Sequence, residues 1–141
     1  MTDRTIRSVP SNSRSRLLRI TLLTGLVAFV ASCTKPVYLT GTDDSRTVTL
    51  TKGQRVTISL EANPTTGYQW ELAECDSSIL APQGEPKYTA PRTPPIGSGG
   101  QESWRFRAMA KGKTELRLVY RRSWEDKSEP GRTFAATVVV H

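Results

Sequence analysis

Residues 46–60 read Arg46-Thr47-Val48-Thr49-Leu50-Thr51-Lys52-Gly53-Gln54-Arg55-Val56-Thr57-Ile58-Ser59-Leu60, with polar and apolar side chains alternating on both sides of Lys52-Gly53. Because successive side chains of a β-strand point to opposite faces, this alternation is typical of a strand with one buried face. The Lys-Gly pair supplies a turn between the two runs. The stretch therefore predicts two half-buried strands, at residues 46–50 and 55–60.

The same alternation recurs before and after this stretch. Residues 37–39 predict a first edge strand, and residues 68–72 place Trp70 and Leu72 on one face. Lys111-Gly112-Lys113 predicts a tight turn that joins two later strands. The apolar faces of the later strands comprise Trp104, Phe106 and Ala108, then Leu116, Leu118 and Tyr120, and finally Phe134, Ala136, Val138 and Val140.

The fold class follows from this pattern. No window shows a sustained helical period, so the chain is predicted to be all-β. About seven short strands in roughly a hundred residues are typical of an immunoglobulin-like β-sandwich, with a small barrel as the alternative. We expect a core that is stable without disulfides. Its predicted members are Val48, Val56, Ile58, Trp70, Trp104, Phe106, Leu116, Leu118, Phe134 and Val138.

Residues 82–100 interrupt the regular pattern with five prolines followed by glycines. Proline removes a donor from a strand ladder, so this segment predicts a long loop with a short edge strand near Lys87-Tyr88; a flexible linker is the alternative. In a sandwich, alternate connections emerge at the same end. We therefore expect the loops at 63–67, 91–100 and 121–131 to lie together.

The first of these loops reads Asn63-Pro64-Thr65-Thr66-Gly67-Tyr68-Gln69-Trp70. Proline keeps Asn63 extended, Asn63 can bond its own backbone further on, and Gly67 can take a positive φ. Thr65 and Thr66 have few rotamers to lose and are expected to carry hydroxyls and methyls toward solvent. This predicts a stiff loop suited to docking in a cleft, although an ordinary hairpin loop would also fit.

The octet resembles the signature of the chagasin family, proteinaceous inhibitors of papain-like cysteine peptidases. Two further motifs in the same order match the family's second and third loops: Gly97-Ser98-Gly99-Gly100 ahead of an aromatic strand, and Tyr120-Arg121-Arg122-Ser123-Trp124. Ser123 departs from the pattern, since the family usually has proline there. The resemblance spans about residues 46–140, and three ordered motifs are more specific than one.

The resemblance implies an immunoglobulin-like fold and reversible, competitive occlusion of a papain-like active-site cleft. Thr65 and Thr66 would lie at the centre, and glycines of the second loop would allow close approach to the target. Trp124 would be an apolar hot spot and Arg122 a donor of charged hydrogen bonds. The implied peptidase-binding residues are Asn63, Pro64, Thr65, Thr66, Gly67, Gly97, Gly99, Gly100, Arg122 and Trp124.

Two other functions fit the same sequence. The loops could bind a non-peptidase partner in an envelope assembly or adhesion module, and Ser123 is the feature that favours this alternative. The other is a structural envelope lipoprotein without a specific ligand. The conjunction of the three loop motifs favours inhibition.

Residues suited to catalysis are few. His141 is the only histidine, and the acidic pairs Asp43-Asp44 and Glu125-Asp126 are typical of solvated loops. No metal-ligand spacing or nucleotide fingerprint occurs, so we expect no cofactor, no metal and no enzymatic activity. Cys75 has no evident base to activate it, which favours a structural or incidental thiol.

The first third of the chain is typical of an export signal. Five arginines precede an apolar run at residues 20–30, and Val30-Ala31-Ser32-Cys33 resembles the bacterial lipobox, where cleavage leaves a lipidated cysteine. A lone transmembrane anchor is the alternative, although the run is short for it. The predicted organisation is a lipoprotein signal peptide at 1–32, a lipidated tether at 33–45 and the inhibitor domain at 46–141.

This organisation changes the charge balance and predicts a location. Without the leader the net charge falls from +7 to +3, because five arginines and one aspartate leave with it. No basic stripe with stacking aromatics remains, so we expect no nucleic-acid partner. Lipidation at Cys33 would attach the domain to a bacterial membrane facing the periplasm, and Thr34, in place of aspartate, is compatible with sorting to the outer membrane. We expect a monomer.

Overall fold

The computed structural model describes residues 34–93, 97–124 and 130–141 of the 141-residue chain. Two single-turn 3₁₀ helices, Gly41–Asp43 and Pro64–Thr66, accompany the strands. The strands in the described part are β1 Val37–Thr40, β2 Arg46–Leu50, β3 Arg55–Ala62, β4 Tyr68–Glu74, β5 Leu80–Pro82, β6 Lys87–Thr89, β7 Gly100–Ala108, β8 Gly112–Arg122 and β9 Arg132–Val140.

The strands form two separate sheets, as predicted for a sandwich. One has the order β1-β3-β7-β5, with β6 also paired to β7, and the other has the order β2-β9-β8-β4. Strand β1 runs parallel to β3, and β2 runs parallel to β9, whereas the other pairs are antiparallel. The immunoglobulin-like β-sandwich is confirmed, and the described strands number nine instead of about seven.

The core lies between the two sheets. Val56, Ile58 and Phe106 come from one sheet, and Leu118 and Phe134 come from the other; each is at most 1% exposed. Burying such side chains contributes about 1.5–3 kcal/mol each to the free energy of folding. All predicted core residues are buried with one exception.

Trp104 is the exception, since it is only half-buried at the rim of the core. Its indole N–H donates to the Glu102 carboxylate at 2.9 Å, because an indole N–H that is partly shielded from water needs a protein acceptor. Burial raises the pKa of Glu102. The sequence pattern did not predict the burial of Leu80, which is fully buried in β5, because that short strand borders the proline-rich segment.

The connection after β7 differs from the predicted turn at 111–113. Gly112 is already the first residue of β8, and β7 and β8 belong to different sheets. The intervening residues 109–111 therefore carry the chain from one sheet to the other. An alternating pattern specifies which face of a strand is buried, but it contains no information on which sheet the strand joins.

The domain also begins earlier than expected. The predicted edge strand at 37–39 is confirmed as β1, with Leu39 buried. Residues 37–45, which the sequence assigned to the tether, therefore belong to the sandwich. Cys33, the leader at 1–32 and Glu125-Asp126 lie outside the described residues. Within the described ranges, no helix has the length and apolar character needed to cross a membrane.

The register of the central strands brings the candidate loops to one end of the sandwich. Ala62, the last residue of β3, pairs with Gly100, the first residue of β7. Tyr68, the first residue of β4, pairs with Arg122, the last residue of β8. The loops that begin at Asn63, precede Gly100 and follow Arg122 therefore emerge side by side, as predicted.

Candidate functional site

The first loop is a closed 3₁₀ turn. The Asn63 side-chain oxygen accepts from the Thr65 backbone N–H at 3.3 Å and from the Thr65 hydroxyl at 2.6 Å. The Thr66 hydroxyl donates to the Asn63 carbonyl at 2.7 Å. Gly67 closes the turn with φ of 77° and donates its N–H to the Pro64 carbonyl at 3.1 Å. The predicted stiffness has its physical basis in these bonds.

The threonine hydroxyls differ from the expectation that they point toward solvent. Both bond to Asn63, although Pro64, Thr65 and Thr66 are all exposed. An oxygen atom at the start of a short turn can accept a hydrogen bond from a nearby threonine hydroxyl in place of water. The hydroxyls therefore hold the loop in shape, and the exposed surface of the turn is what a partner can touch.

Tyr120 supports the first loop from below. The backbone N–H of Asn63 donates to the Tyr120 hydroxyl at 2.8 Å. The Tyr120 ring is buried, with its centre 5.3 Å from that of Tyr68 and 5.1 Å from that of Trp70. The sequence assigned Tyr120 only to an apolar face. Its loop contact could not be predicted, because it joins residues that are 57 positions apart.

The second loop is attached to the first. The Asn63 side-chain amide donates to the Gly97 carbonyl at 3.1 Å, and Gly97 has φ of 85°. A Cβ at Gly99 would lie 2.7 Å from the Ala62 carbonyl oxygen, and a Cβ at Gly100 would collide with the Thr89 carbonyl. The domain's own packing therefore requires the last two glycines.

This corrects the role predicted for Gly100 and qualifies the one predicted for Gly99. Gly100 is buried in β7, so it cannot provide a surface for close approach to a target. Gly97 and Gly99 remain exposed beside the first loop. A glycine-rich motif has the same sequence whether its missing side chains make room for a partner or for a neighbouring strand.

The third loop packs against the first through two side chains. The Arg122 Nε donates to the Thr66 carbonyl at 3.3 Å, and its guanidinium carbon lies 4.6 Å from the centre of the Tyr68 ring. Trp124 is 68% exposed, as predicted, and its indole occupies the space where Gly67 would carry a Cβ. Arg122 thus positions the first loop, and Trp124 extends its exposed surface.

Arg132 is a supporting residue that the sequence did not single out. Its guanidinium carbon lies 4.4 Å from the centre of the Tyr120 ring, and its Nη2 donates to the Glu61 carbonyl at 3.0 Å. Trp70 donates to that same carbonyl at 3.0 Å. The base of the loops is therefore an aromatic cluster, Tyr68, Trp70 and Tyr120, with an arginine on it from β9.

The acidic pair Asp43-Asp44 has structural roles. Asp43 accepts from the Thr40 backbone N–H at 2.8 Å and pairs with Arg46, and these contacts lower its pKa. Asp44 accepts from the Ala135 backbone N–H at 2.7 Å. In the described ranges, no three His, Cys, Asp or Glu side chains lie close enough to hold a metal ion.

Cys75 has the surroundings of a structural thiol. It is half-buried, and its Sγ donates to the Leu80 carbonyl at 3.0 Å. Burial, together with the negative charge of Asp76, raises the pKa of the Cys75 thiol to about 11. Because the thiolate is the reactive form, this environment opposes nucleophilic chemistry.

We expect native Cys75 to react with iodoacetamide at pH 8 about 100-fold more slowly than the same thiol in the unfolded chain, because its thiolate is that much rarer. The measurement uses residues 34–141, which contain this cysteine alone. Rates with and without denaturant should converge above pH 11. Equal rates at pH 8 would contradict the buried environment.

The sequence is similar to proteins of one family. The family model of the chagasin family peptidase inhibitors I42 matches residues 49–138. Amoebiasin-1 of Entamoeba histolytica is 33% identical over 104 residues, which cover 72% of this chain and 97% of that protein. Chagasin of Trypanosoma cruzi is 30% identical over 101 residues, covering 68% of this chain and 90% of that protein.

The fold is similar to solved structures of the same kind. The crystal structure of the cysteine protease inhibitor EhICP2 from Entamoeba histolytica has a TM-score of 0.65 and 24% identity, covering 74% of this chain and 94% of that one. The structure of PbICP-C in complex with falcipain-2 has a TM-score of 0.54 and 20% identity. It covers 76% of this chain and 92% of that one. The chain belongs to the chagasin family of peptidase inhibitors.

Proposed function

We propose that this chain inhibits papain-like cysteine peptidases reversibly, by occluding the active-site cleft with its three adjacent loops. The observation that carries the proposal is the closed first loop, held by Asn63 and supported by Tyr120. Membership of the chagasin family supports inhibition, since that family consists of inhibitors and not enzymes. A fold neighbour that was solved with falcipain-2 supports a cysteine peptidase as the partner.

The mechanism depends on how little the first loop must change on binding. Ordering a flexible loop costs roughly 0.5–1.5 kcal/mol for each immobilised side chain. Here the turn is already closed by hydrogen bonds within the loop, so binding adds little further loss of conformational entropy. The fixed backbone can lie beside the catalytic cysteine without offering a bond in attack geometry, which makes the loop an inhibitor and not a substrate.

The described domain is sufficient for the test. Its core lies entirely between Leu39 and Val140. In addition, nearly the whole of Amoebiasin-1 corresponds to 72% of this chain, so in that relative the domain is almost the complete protein. Residues 34–141 can therefore be produced without the leader and assayed alone.

The experiment titrates residues 34–141 against active-site-quantified papain and a cathepsin L-type peptidase, following hydrolysis of a small substrate. We expect activity to fall stoichiometrically at nanomolar domain, with the domain recovered uncut. No inhibition of either enzyme at micromolar domain would reject the proposal. Cleavage of the first loop during the assay would show a substrate instead.

Trp124→Ala is expected to raise the rate of dissociation from the peptidase about tenfold, because the substitution removes a large exposed apolar contact next to the first loop. Surface plasmon resonance on immobilised peptidase measures this rate. The melting temperature should change little, since the side chain is 68% exposed. A strong loss of thermal stability with unchanged dissociation would place Trp124 in the core instead of the interface.

We also propose that the domain is a periplasm-facing lipoprotein attached through Cys33, most simply to the outer membrane, and that it acts as a monomer. The sequence around residues 30–33 supports this proposal. Acyl labelling that disappears in Cys33→Ala, together with globomycin-sensitive processing, is the expected result. Secretion of an unlabelled domain cut at another position would reject it.

A further inference from the structure

The sandwich has two ends, and the end opposite the three loops carries a group of exposed cations. Strand β3 runs from one to the other, with the inhibitory loops after its last residue, Ala62. Around its first residue lies a group of cations that we call the basic end. Its members are Lys35, Lys52, Arg55, Arg107, Lys111 and Lys113.

Backbone contacts place these six residues together. The Gln54 side chain donates to the Lys35 carbonyl at 2.8 Å, and Arg55 pairs with Arg107 across β3 and β7. The Lys52 N–H donates to the His141 carbonyl at 3.2 Å, at the end of β9. Lys113 pairs with Val139 near that same end of β9, and Lys111 precedes β8 directly.

The six cations of the basic end are not neutralised by ion pairs in the described ranges. All six side chains are exposed, and none of them forms an ion pair there. The arginines of the other sheet contrast with them, since Arg117 pairs with Glu74 and Arg121 pairs with Glu71. Asp76 lies nearby and keeps its negative charge, because the hydrogen bonds it accepts from Ser78 lower its pKa, but it pairs with none of the six cations.

The chemistry of the basic end fits a broad anionic surface better than a single small ligand. The cations are spread over four connections and strand ends, with the exposed side chain of Met109 among them. Long lysine and arginine stems can lie along an interface with the charged head at phosphate level.

The path of the chain indicates which anionic surface this is. The described chain enters the domain at this end, because Lys35 is held by Gln54. The apolar run at residues 20–30 lies only a few residues upstream in the sequence. Attachment through a lipid at Cys33 or through that run would make the basic end the part of the domain closest along the chain to the membrane.

We propose that the basic end docks on the anionic phospholipid headgroups of a membrane. The eight residues of β3 span about 25 Å at 3.3 Å per residue, so docking holds the inhibitory loops at about that height above the surface. Docking gives the loops a defined direction, away from the membrane. The proposal goes beyond inhibition and does not require lipidation, so it can fail or succeed independently of both.

The test uses residues 34–141, which lack any lipid, and sedimentation with vesicles. Each cation near an anionic membrane surface strengthens binding by about fivefold. We expect binding to phosphatidylglycerol-containing vesicles, little binding to pure phosphatidylcholine vesicles, and a decline as salt shortens the screening length from about 10 Å at 0.1 M. The variant Lys52→Glu/Lys111→Glu should bind at least about 25-fold more weakly.

The matched control is Lys87→Glu/Arg117→Glu, which has the same net charge but changes two exposed cations away from both the basic end and the three loops. It should retain most of the binding. Equal losses in the two variants would overturn the proposal in favour of a non-specific charge effect, and so would an absence of binding to anionic vesicles at low salt. Both variants should inhibit papain like the unmodified domain, which separates this result from failure of the inhibitor function.

Discussion

Replacing Thr65 and Thr66 together with glutamate is expected to abolish inhibition, raising the inhibition constant at least about 1,000-fold. Both threonines are exposed at the tip of the first loop, where a peptidase cleft would cover them. A carboxylate that enters such a cleft without a partner loses its hydration, at a cost of several kcal/mol. Inhibition constants from the titration assay, and melting temperatures from circular dichroism, measure the two effects.

The fold should tolerate this change. Neither threonine has a buried side chain, so we expect a melting temperature within a few degrees of the unmodified domain. Thr47→Glu/Thr49→Glu is the matched control, because it adds the same charges to exposed positions of β2. It should inhibit normally. An unchanged inhibition constant in Thr65→Glu/Thr66→Glu would remove the first loop from the mechanism.

A companion variant separates loop shape from loop surface. Thr65→Val/Thr66→Val retains the branched outline of both side chains but removes the hydroxyls that bond to Asn63. We expect a smaller loss of inhibition than with glutamate, since the exposed apolar surface remains while the turn loosens. Equal losses in the two variants would mean that the hydroxyl bonds, and not the surface, determine inhibition.

The second large effect is expected for Tyr120→Phe, which should weaken inhibition about 30-fold although the Tyr120 side chain is buried. Its hydroxyl accepts the Asn63 N–H at the base of the first loop. Leaving a partly buried N–H without its acceptor costs about 1–3 kcal/mol. The loop would then populate other conformations, and binding would have to restore the competent one.

The proper comparison for Tyr120→Phe is Tyr68→Phe in the same aromatic cluster. The Tyr68 ring stacks on Tyr120, but its hydroxyl makes no hydrogen bond within the described residues. We expect normal inhibition and stability for that variant. Hydrogen exchange of the Asn63 amide should accelerate in Tyr120→Phe alone. Equal inhibition constants for the two variants would show that the Tyr120 hydroxyl does not determine the shape of the loop.

Much of this protein follows from local patterns in its sequence. Alternation at residues 46–60 and in the later strands predicts half-buried strands, because side-chain direction in a strand depends only on position along the chain. Pro64 and Gly67 predict a stiff turn for a similar reason, since each restricts or frees its own backbone angles. The three ordered loop motifs predicted the family, and the comparisons confirmed it.

Contacts between residues that are distant along the chain leave no local pattern in the sequence. The exposure of Trp124 could be inferred from the charged residues around it in the sequence. The burial of Leu80 and Gly100, in contrast, depends on which strands pair with β7. The support of Asn63 by Tyr120 depends equally on strand register. Pairing and register are decided by the assembled core, where a shift of one residue would turn every buried side chain outward. The residue pattern therefore sets the strands and the loop tip, and the packed sheets set what holds that tip in place.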